Sequence, residues 1–118
     1  MILGDNKMIK KIFKNSHFRC FDDCNITFDE INKKLQNGAI LIDVRSLQEY
    51  NEGHLHNAIH LADYDILKKC EKLLPNKERE IILYCQNGGR SKKAYKKLKK
   101  LGFTNVYNLC GGLDSITY

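Results

Sequence analysis

The sequence predicts an α/β domain in which a parallel sheet is covered by helices on both faces. Short apolar runs at Ile40–Val44, Ile81–Cys85 and Val106–Cys110 alternate with helix-like segments, the pattern of parallel strand–helix–strand units. Two of these runs are almost continuously apolar, as strands buried on both sides require. The segments between them carry helix caps and apolar stripes at helical spacing.

In chain order, Thr27 caps a helix containing Phe28, Ile31 and Leu35, with Glu30 at the capping-box position and Asn37-Gly38 as the stop. Ile40–Val44 is the first long strand. Ser46 opens a short helix through Leu47 and Tyr50 that Gly53 ends, and Ala58–Leu61 is a weaker strand. Ile66, Leu67, Cys70, Leu73 and Leu74 are expected on one face of the next helix, closed by Pro75. After Ile81–Cys85, Ser91 to Leu101 forms the clearest helix. Ala94, Tyr95, Leu98 and Leu101 make its apolar stripe, lysines cover the rest, and Gly102 ends it.

The chain divides into an amino-terminal arm, residues 1–25, and a single domain, residues 26–118. In the arm, Met8, Ile9, Ile12 and Phe13 could share one helical face with Lys7, Lys10, Lys11 and Lys14 opposite, and packing on its own domain or fraying is the plainer reading. The 118 residues suit one modest core, and 42% hydrophobic against 29% charged residues excludes a disordered chain. A net charge of +6 permits an anionic substrate or a nucleic-acid partner but selects neither.

Five cysteines at irregular spacing (Cys20, Cys24, Cys70, Cys85 and Cys110) do not form a secreted disulfide framework, so free thiols in a reducing cytoplasm are expected. Met1 to Ser16 lacks an apolar stretch of signal-peptide length, and no run approaches the ~20 apolar residues of a spanning helix.

The chemistry concentrates in Cys85-Gln86-Asn87-Gly88-Gly89-Arg90-Ser91. A buried strand delivers Cys85 to the carboxyl edge of the sheet, where open α/β sheets bind ligands. A short loop into a helix points backbone N–H groups at one centre, which favours a thiolate or a transferring anion. Gly88 and Gly89 suit a tight ring of such groups. Arg90 can brace the loop or hold an anion, and Ser91 can cap the helix or donate to the Cys85 sulfur. Lys92 and Lys93 would attract an anion, although a solvated face on a lysine-rich chain is the simpler account. By itself the loop is also compatible with a glycine-rich turn behind a structural cysteine.

The loop resembles the rhodanese pattern C-x-x-G-x-R-[ST] at Cys85, Gly88, Arg90 and Ser91. Upstream, Leu41-Ile42-Asp43-Val44-Arg45, Glu49-Tyr50, Gly53-His54-Leu55 and Ala58-Ile59 are similar to that family's D-V-R…E-[YF]…G-H-I block. Downstream, Leu101-Gly102-Phe103, Val106 and Gly111-Gly112-Leu113 are similar to its closing L-G-[FY]…V…L-x-G-G segment. The resemblance covers about Ile26 to Ile116.

It implies a five-stranded, mainly parallel sheet flanked by helices on both faces. It also implies that Cys85 takes sulfane sulfur from a small anionic donor such as thiosulfate and passes it, as a persulfide, to a thiol or other thiophilic acceptor. Gln86, Asn87, Gly88, Gly89, Arg90 and Ser91 are then the substrate-binding residues, and Asp43, Arg45 and His54 give structural support. No cofactor or nucleic-acid partner is expected, and a sulfur-relay protein is an open alternative. No metal site is expected either, since His54, His56 and His60 lack ligand spacing with the cysteines.

Two positions depart from the pattern: Asn57 stands at a usual glycine, and Ile116 near a common tryptophan. Rival readings are a non-catalytic binding module of the same fold and, least favoured, a cysteine phosphatase, whose C-x5-R loop is one residue longer. If the strands before Cys85 and Cys110 are parallel neighbours, Cys110 could resolve a persulfide or form a disulfide with Cys85, with an inert core cysteine as the plainer reading. Cys20 and Cys24 lie outside the matched blocks.

Overall fold

The computed structural model describes residues 25–116, with side chains from Ile26 onward, and the backbone of Ile2–Leu3 and Lys7–Met8. Ile2–Leu3 (β1) and Lys7–Met8 (β2) pair antiparallel. Lys7 and Met8 therefore lie in a strand and not on opposite faces of a helix. Ile9, Lys10, Lys11, Ile12, Phe13 and Lys14, together with Cys20 and Cys24, lie outside the described residues.

The domain runs β3 (Asn25–Ile26), α1 (Phe28–Gln36), β4 (Ile40–Asp43), α2 (Leu47–Glu52), β5 (Ile59–His60), α3 (Ile66–Leu73), β6 (Ile81–Tyr84), α4 (Gly89–Lys100) and β7 (Val106–Leu109), then a 3₁₀ turn at Gly112–Ser115. Strands lie in the order β3-β7-β6-β4-β5, and every pairing is parallel. β4, β6 and β7 each have four residues, whereas β3 and β5 at the edges have two.

Alternation along the strands divides the interior into two cores. Ile42, Ile81, Leu83 and Cys85 face α3 and α4, packing with Ile66, Cys70, Ala94, Leu98 and Phe103. Leu41, Ile82 and Tyr84 face the other way and pack with Phe28, Ile31, Leu55, Ala58 and Ile116. Burying each large apolar side chain contributes roughly 1.5–3 kcal/mol. The sheet is thus covered on both sides, which explains its uninterrupted apolar strands.

The caps form where the sequence places them. Thr27 Oγ1 accepts from the Glu30 N–H while the Glu30 carboxylate accepts from the Thr27 N–H. Ser46 and Glu49 make the same reciprocal pair at α2. Such boxes satisfy N–H groups that the first turn leaves without helical partners.

Two apolar assignments in α3 need correction. Ile66, Cys70 and Leu74 are buried at i, i+4 spacing, but Leu67 and Leu73 are 43% and 57% exposed. Leu67 lies about 100° around the helix from Ile66. Leu73, in the last turn, lines a surface groove of about 350 Å³ with Leu47 and Tyr64.

Asn57, the departure from the usual glycine, has φ +65°. Its turn therefore needs the left-handed conformation that glycine adopts freely, and asparagine tolerates it better than most side chains. Ile116 is buried in the core packed under α1.

Candidate active site

The site is built where β6 ends and α4 begins, at the carboxyl edge of the sheet. Cys85 is fully buried. The Gly88 N–H donates to its Sγ at 3.1 Å and the Ser91 N–H at 3.4 Å, with Ser91 Oγ also 3.4 Å away. Three polar groups from one turn therefore converge on a single sulfur. Gly88 makes this possible by adopting φ +99° at the N-cap of α4. Gly89, expected to need unusual backbone angles as well, is the ordinary first residue of the helix.

Ser91 does not cap α4. It is the third helical residue, buried, with its hydroxyl facing Gly88 O at 3.2 Å and Asn108 Oδ1 on the neighbouring strand. Asn108, 3% exposed, is a positioning residue that sequence reasoning missed. The signal was present: one amide inside the apolar run of β7. A buried amide requires a partner, and Ser91 supplies it.

The other predicted residues separate by role. The Gln86 side-chain amide donates to Asp114 Oδ1 at 2.7 Å, and Asn87 Oδ1 accepts from the Gly89 N–H at 2.9 Å. Both are exposed and shape the loop from outside. Arg90 braces it: its two terminal nitrogens reach the two Glu49 oxygens at 2.7 and 3.0 Å.

Asp43 and Arg45 form a buried pair, with Arg45 Nη2 at 2.8 Å from Asp43 Oδ2 and donating to Gly53 O at 2.6 Å. The Tyr84 hydroxyl accepts from the Leu55 N–H, and burial first, then the Asp43 carboxylate, raises its pKa. His54 sits apart from the sulfur, with Nδ1 at 3.0 Å from Tyr50 O and its ring stacked on Tyr50.

A second layer latches the loop from the carboxyl end. Leu113 N–H donates to Cys85 O at 3.0 Å, and Asp114 N–H to Gln86 O at 2.9 Å. Gly111 and Gly112, both at positive φ, bring that turn against the loop.

β6 and β7 pair in parallel with Ile81 opposite Val106 and Leu83 opposite Asn108, and Cys85 and Cys110 each directly follow the carboxyl end of these neighbouring strands. The two cysteines thus share a sheet edge, but they are not bridged: Cys85 is a free thiol and Cys110 is disulfide-bonded. The expectation of uniformly free thiols fails at Cys110, which has no thiol to resolve a persulfide while that bond is intact. Cys70 is buried in the α3–α4 core, where desolvation pushes its thiol up to about 11. An apolar site disfavours the thiolate, so Cys70 is a packing residue.

Glu49 titrates far from its ordinary range. The Arg90 hydrogen bond holds its carboxyl down to about 2 from 4.5, with burial opposing and Ser46 assisting. A depressed folded-state pKa gives stability that is present above the unfolded value and is lost as pH falls through the folded one. Urea unfolding of wild type and Glu49→Gln should therefore differ most near neutral pH and converge between about 4.5 and 2. A difference that stays constant down to pH 2 would show that the carboxylate charge contributes nothing.

A family model described as rhodanese-like domain matches residues 27–117. The chain belongs to the rhodanese-like domain family. A tRNA uridine(34) hydroxylase of Buchnera aphidicola is 34% identical over 117 residues, covering 91% of this chain and 38% of that protein. The thiosulfate sulfurtransferase GlpE of Coxiella burnetii is 34% identical over 76 residues, covering 64% of this chain and 69% of that one. The human single-domain sulfurtransferase TSTD1 shares the fold, with a TM-score of 0.70 at 24% identity, over 80% of this chain and 95% of that one.

This rhodanese-like chain therefore spans under two fifths of the length of that hydroxylase. The α/β architecture with its parallel sheet and flanking helices is that of the family. Among the described residues, no helix is long and apolar enough to cross a membrane.

Proposed function

We propose that this rhodanese-like domain is a sulfurtransferase that carries sulfane sulfur on Cys85. The observation that carries the reading is the convergence of the Gly88 N–H, the Ser91 N–H and the Ser91 hydroxyl on one free thiol. The two N–H donors aimed at one sulfur suit a group that bears negative charge before and after it gains a second sulfur.

In the first step the Cys85 thiolate attacks the outer sulfur of a donor such as thiosulfate. The donor S–S bond breaks, sulfite leaves with the bonding electron pair, and Cys85 holds a persulfide. In the second step an acceptor thiolate attacks the terminal sulfur, and the Cys85 thiolate is released. Gly88 and Ser91 hold the charge in both steps, while Gln86, Asn87 and Gly89 keep the turn in shape. Arg90 acts as a brace, since Glu49 occupies its guanidinium. Asp43, Arg45 and His54 support the fold around the site. Residues 26–118 form the transferring unit, with 1–25 as an arm.

The ring is too small for the phosphatase alternative: four residues separate Cys85 from Arg90, and that arginine is bound to Glu49. The hydroxylase relatives leave most of their own chains unmatched, so their activity does not come with the match.

Intact-mass measurement after thiosulfate treatment tests the reading. Wild type is expected to gain one sulfur atom that a dithiol removes, and Cys85→Ser to gain none. Equal labelling of both proteins would move the nucleophile elsewhere. Labelling of neither would overturn thiosulfate as donor in favour of a protein donor or a binding role.

A further inference from the structure

The chain's positive charge is not spread over its surface. Helices α3 and α4 hold ten lysines and arginines against a single carboxylate, Glu71, out of 20 cations and 14 carboxylates in the whole chain. The remainder therefore carries ten cations against thirteen carboxylates, and the net charge of +6 originates from two helices. These pack side by side on one face of the sheet.

Within α4, Lys93, Lys96, Lys97 and Lys100 stand at i, i+3, i+4 and i+7, which places them on one face. All four are exposed, and among the described residues none of their ammonium groups enters an ion pair or hydrogen bond. Like charges three and four residues apart weaken a helix, which the dipole offsets only in the last turn, at Lys97 and Lys100. Helix α1 shows the usual arrangement, with Asp29 and Glu30 in its first turn and Lys33 and Lys34 in its last. A lysine-rich composition accounts for many lysines, but not for an unpaired stripe of them on a helix without one acid.

We propose that this α4 stripe is a docking surface for RNA, read through the phosphate backbone. This goes against the sequence-based expectation of no nucleic-acid partner, and the binding does not depend on the sulfurtransferase reading. Backbone recognition needs a row of mobile cations and no apolar wedge. A membrane surface would call for large apolar residues beside the lysines, and this arc has none.

The stripe also leads somewhere. It spans about 10 Å along the axis at ~1.5 Å per residue, and Lys93 lies one turn from Gly89 and the Cys85 loop. A folded RNA offers unpaired bases beside its backbone, whereas a DNA duplex keeps its bases stacked and paired. RNA lying on α4 therefore presents accessible bases toward the sulfur.

The test is fluorescence anisotropy of the full chain with labelled bulk transfer RNA, across a salt series. Phosphatidylserine vesicles and a DNA duplex of equal charge serve as comparisons. Wild type is expected to bind transfer RNA with a slope of log K against log salt of roughly −3, about 0.7–0.9 of a unit for each of the four lysines. Lys96→Gln/Lys97→Gln/Lys100→Gln is expected to weaken binding at least tenfold. The corresponding triple arginine variant should retain it, and thiosulfate loading of Cys85 should stay within twofold of wild type in both. Unchanged RNA affinity in the glutamine variant would overturn the proposal. So would an absence of RNA binding at low salt, or tighter lysine-dependent binding to vesicles or duplex DNA. Loading of Cys85 is measured separately, so loss of one activity does not imply loss of the other.

Discussion

Gly112→Ala is expected to lower the rate of sulfur loading on Cys85 by about 100-fold, the order of effect of a misplacement near 1 Å at a reacting centre. A Cβ at this position would stand 2.5 Å from Cys85 O, 2.6 Å from Gln86 O and 2.7 Å from Gln86 C. All three are backbone atoms of the catalytic loop and cannot swing aside as a side chain would. The same two carbonyls accept hydrogen bonds from Leu113 and Asp114, so relieving the clash pulls the latch off the loop. The φ of +62° adds left-handed strain of roughly 1–2 kcal/mol.

Gly38→Ala is the control. Its φ is +94° and its Cβ would meet nothing within 4 Å, so it should lose stability on a similar scale and no loading rate. Stopped-flow or quench measurement of persulfide formation distinguishes the two. A Gly112→Ala rate within threefold of wild type would show that the latch does not position the sulfur.

Arg45→Ala is expected to cost about 3–5 kcal/mol of folding stability, because it leaves the Asp43 carboxylate buried without its ion partner. Asp43 is 0% exposed and Arg45 5%, and the guanidinium meets both carboxylate oxygens. Against a total of roughly 5–15 kcal/mol for a domain of this kind, that loss leaves a marginal protein. Arg45 also donates to Gly53 O at the end of α2, the helix whose Glu49 holds Arg90. The pair therefore fixes the ground on which the loop is braced.

Urea unfolding reads the cost directly. Asp43→Leu/Arg45→Met should retain more stability than Arg45→Ala, since removing both charges leaves no unpaired ion. A single-variant cost below 1 kcal/mol would mean that water reaches Asp43 once the arginine is gone.

The sequence by itself determined the elements and their order. The three apolar runs became β4, β6 and β7, the caps at Thr27 and Ser46 formed, and Gly102 ended α4 at φ +99°. These features are legible because they depend on neighbours within four residues: strand alternation, capping side chains and the conformational freedom of glycine. The cysteine loop was legible for the same reason, since Cys85, Gly88 and Ser91 lie within seven consecutive residues.

Contacts between distant segments were decided only by the tertiary structure. Asn108 behind Ser91, Gly112 against Cys85 O and Glu49 on Arg90 join residues 17 to 41 positions apart. Local spacing carries no information on such approaches. They are set when the parallel register brings β6 beside β7 and β4, and only then do a polar residue in a strand and a glycine in a turn acquire their partners.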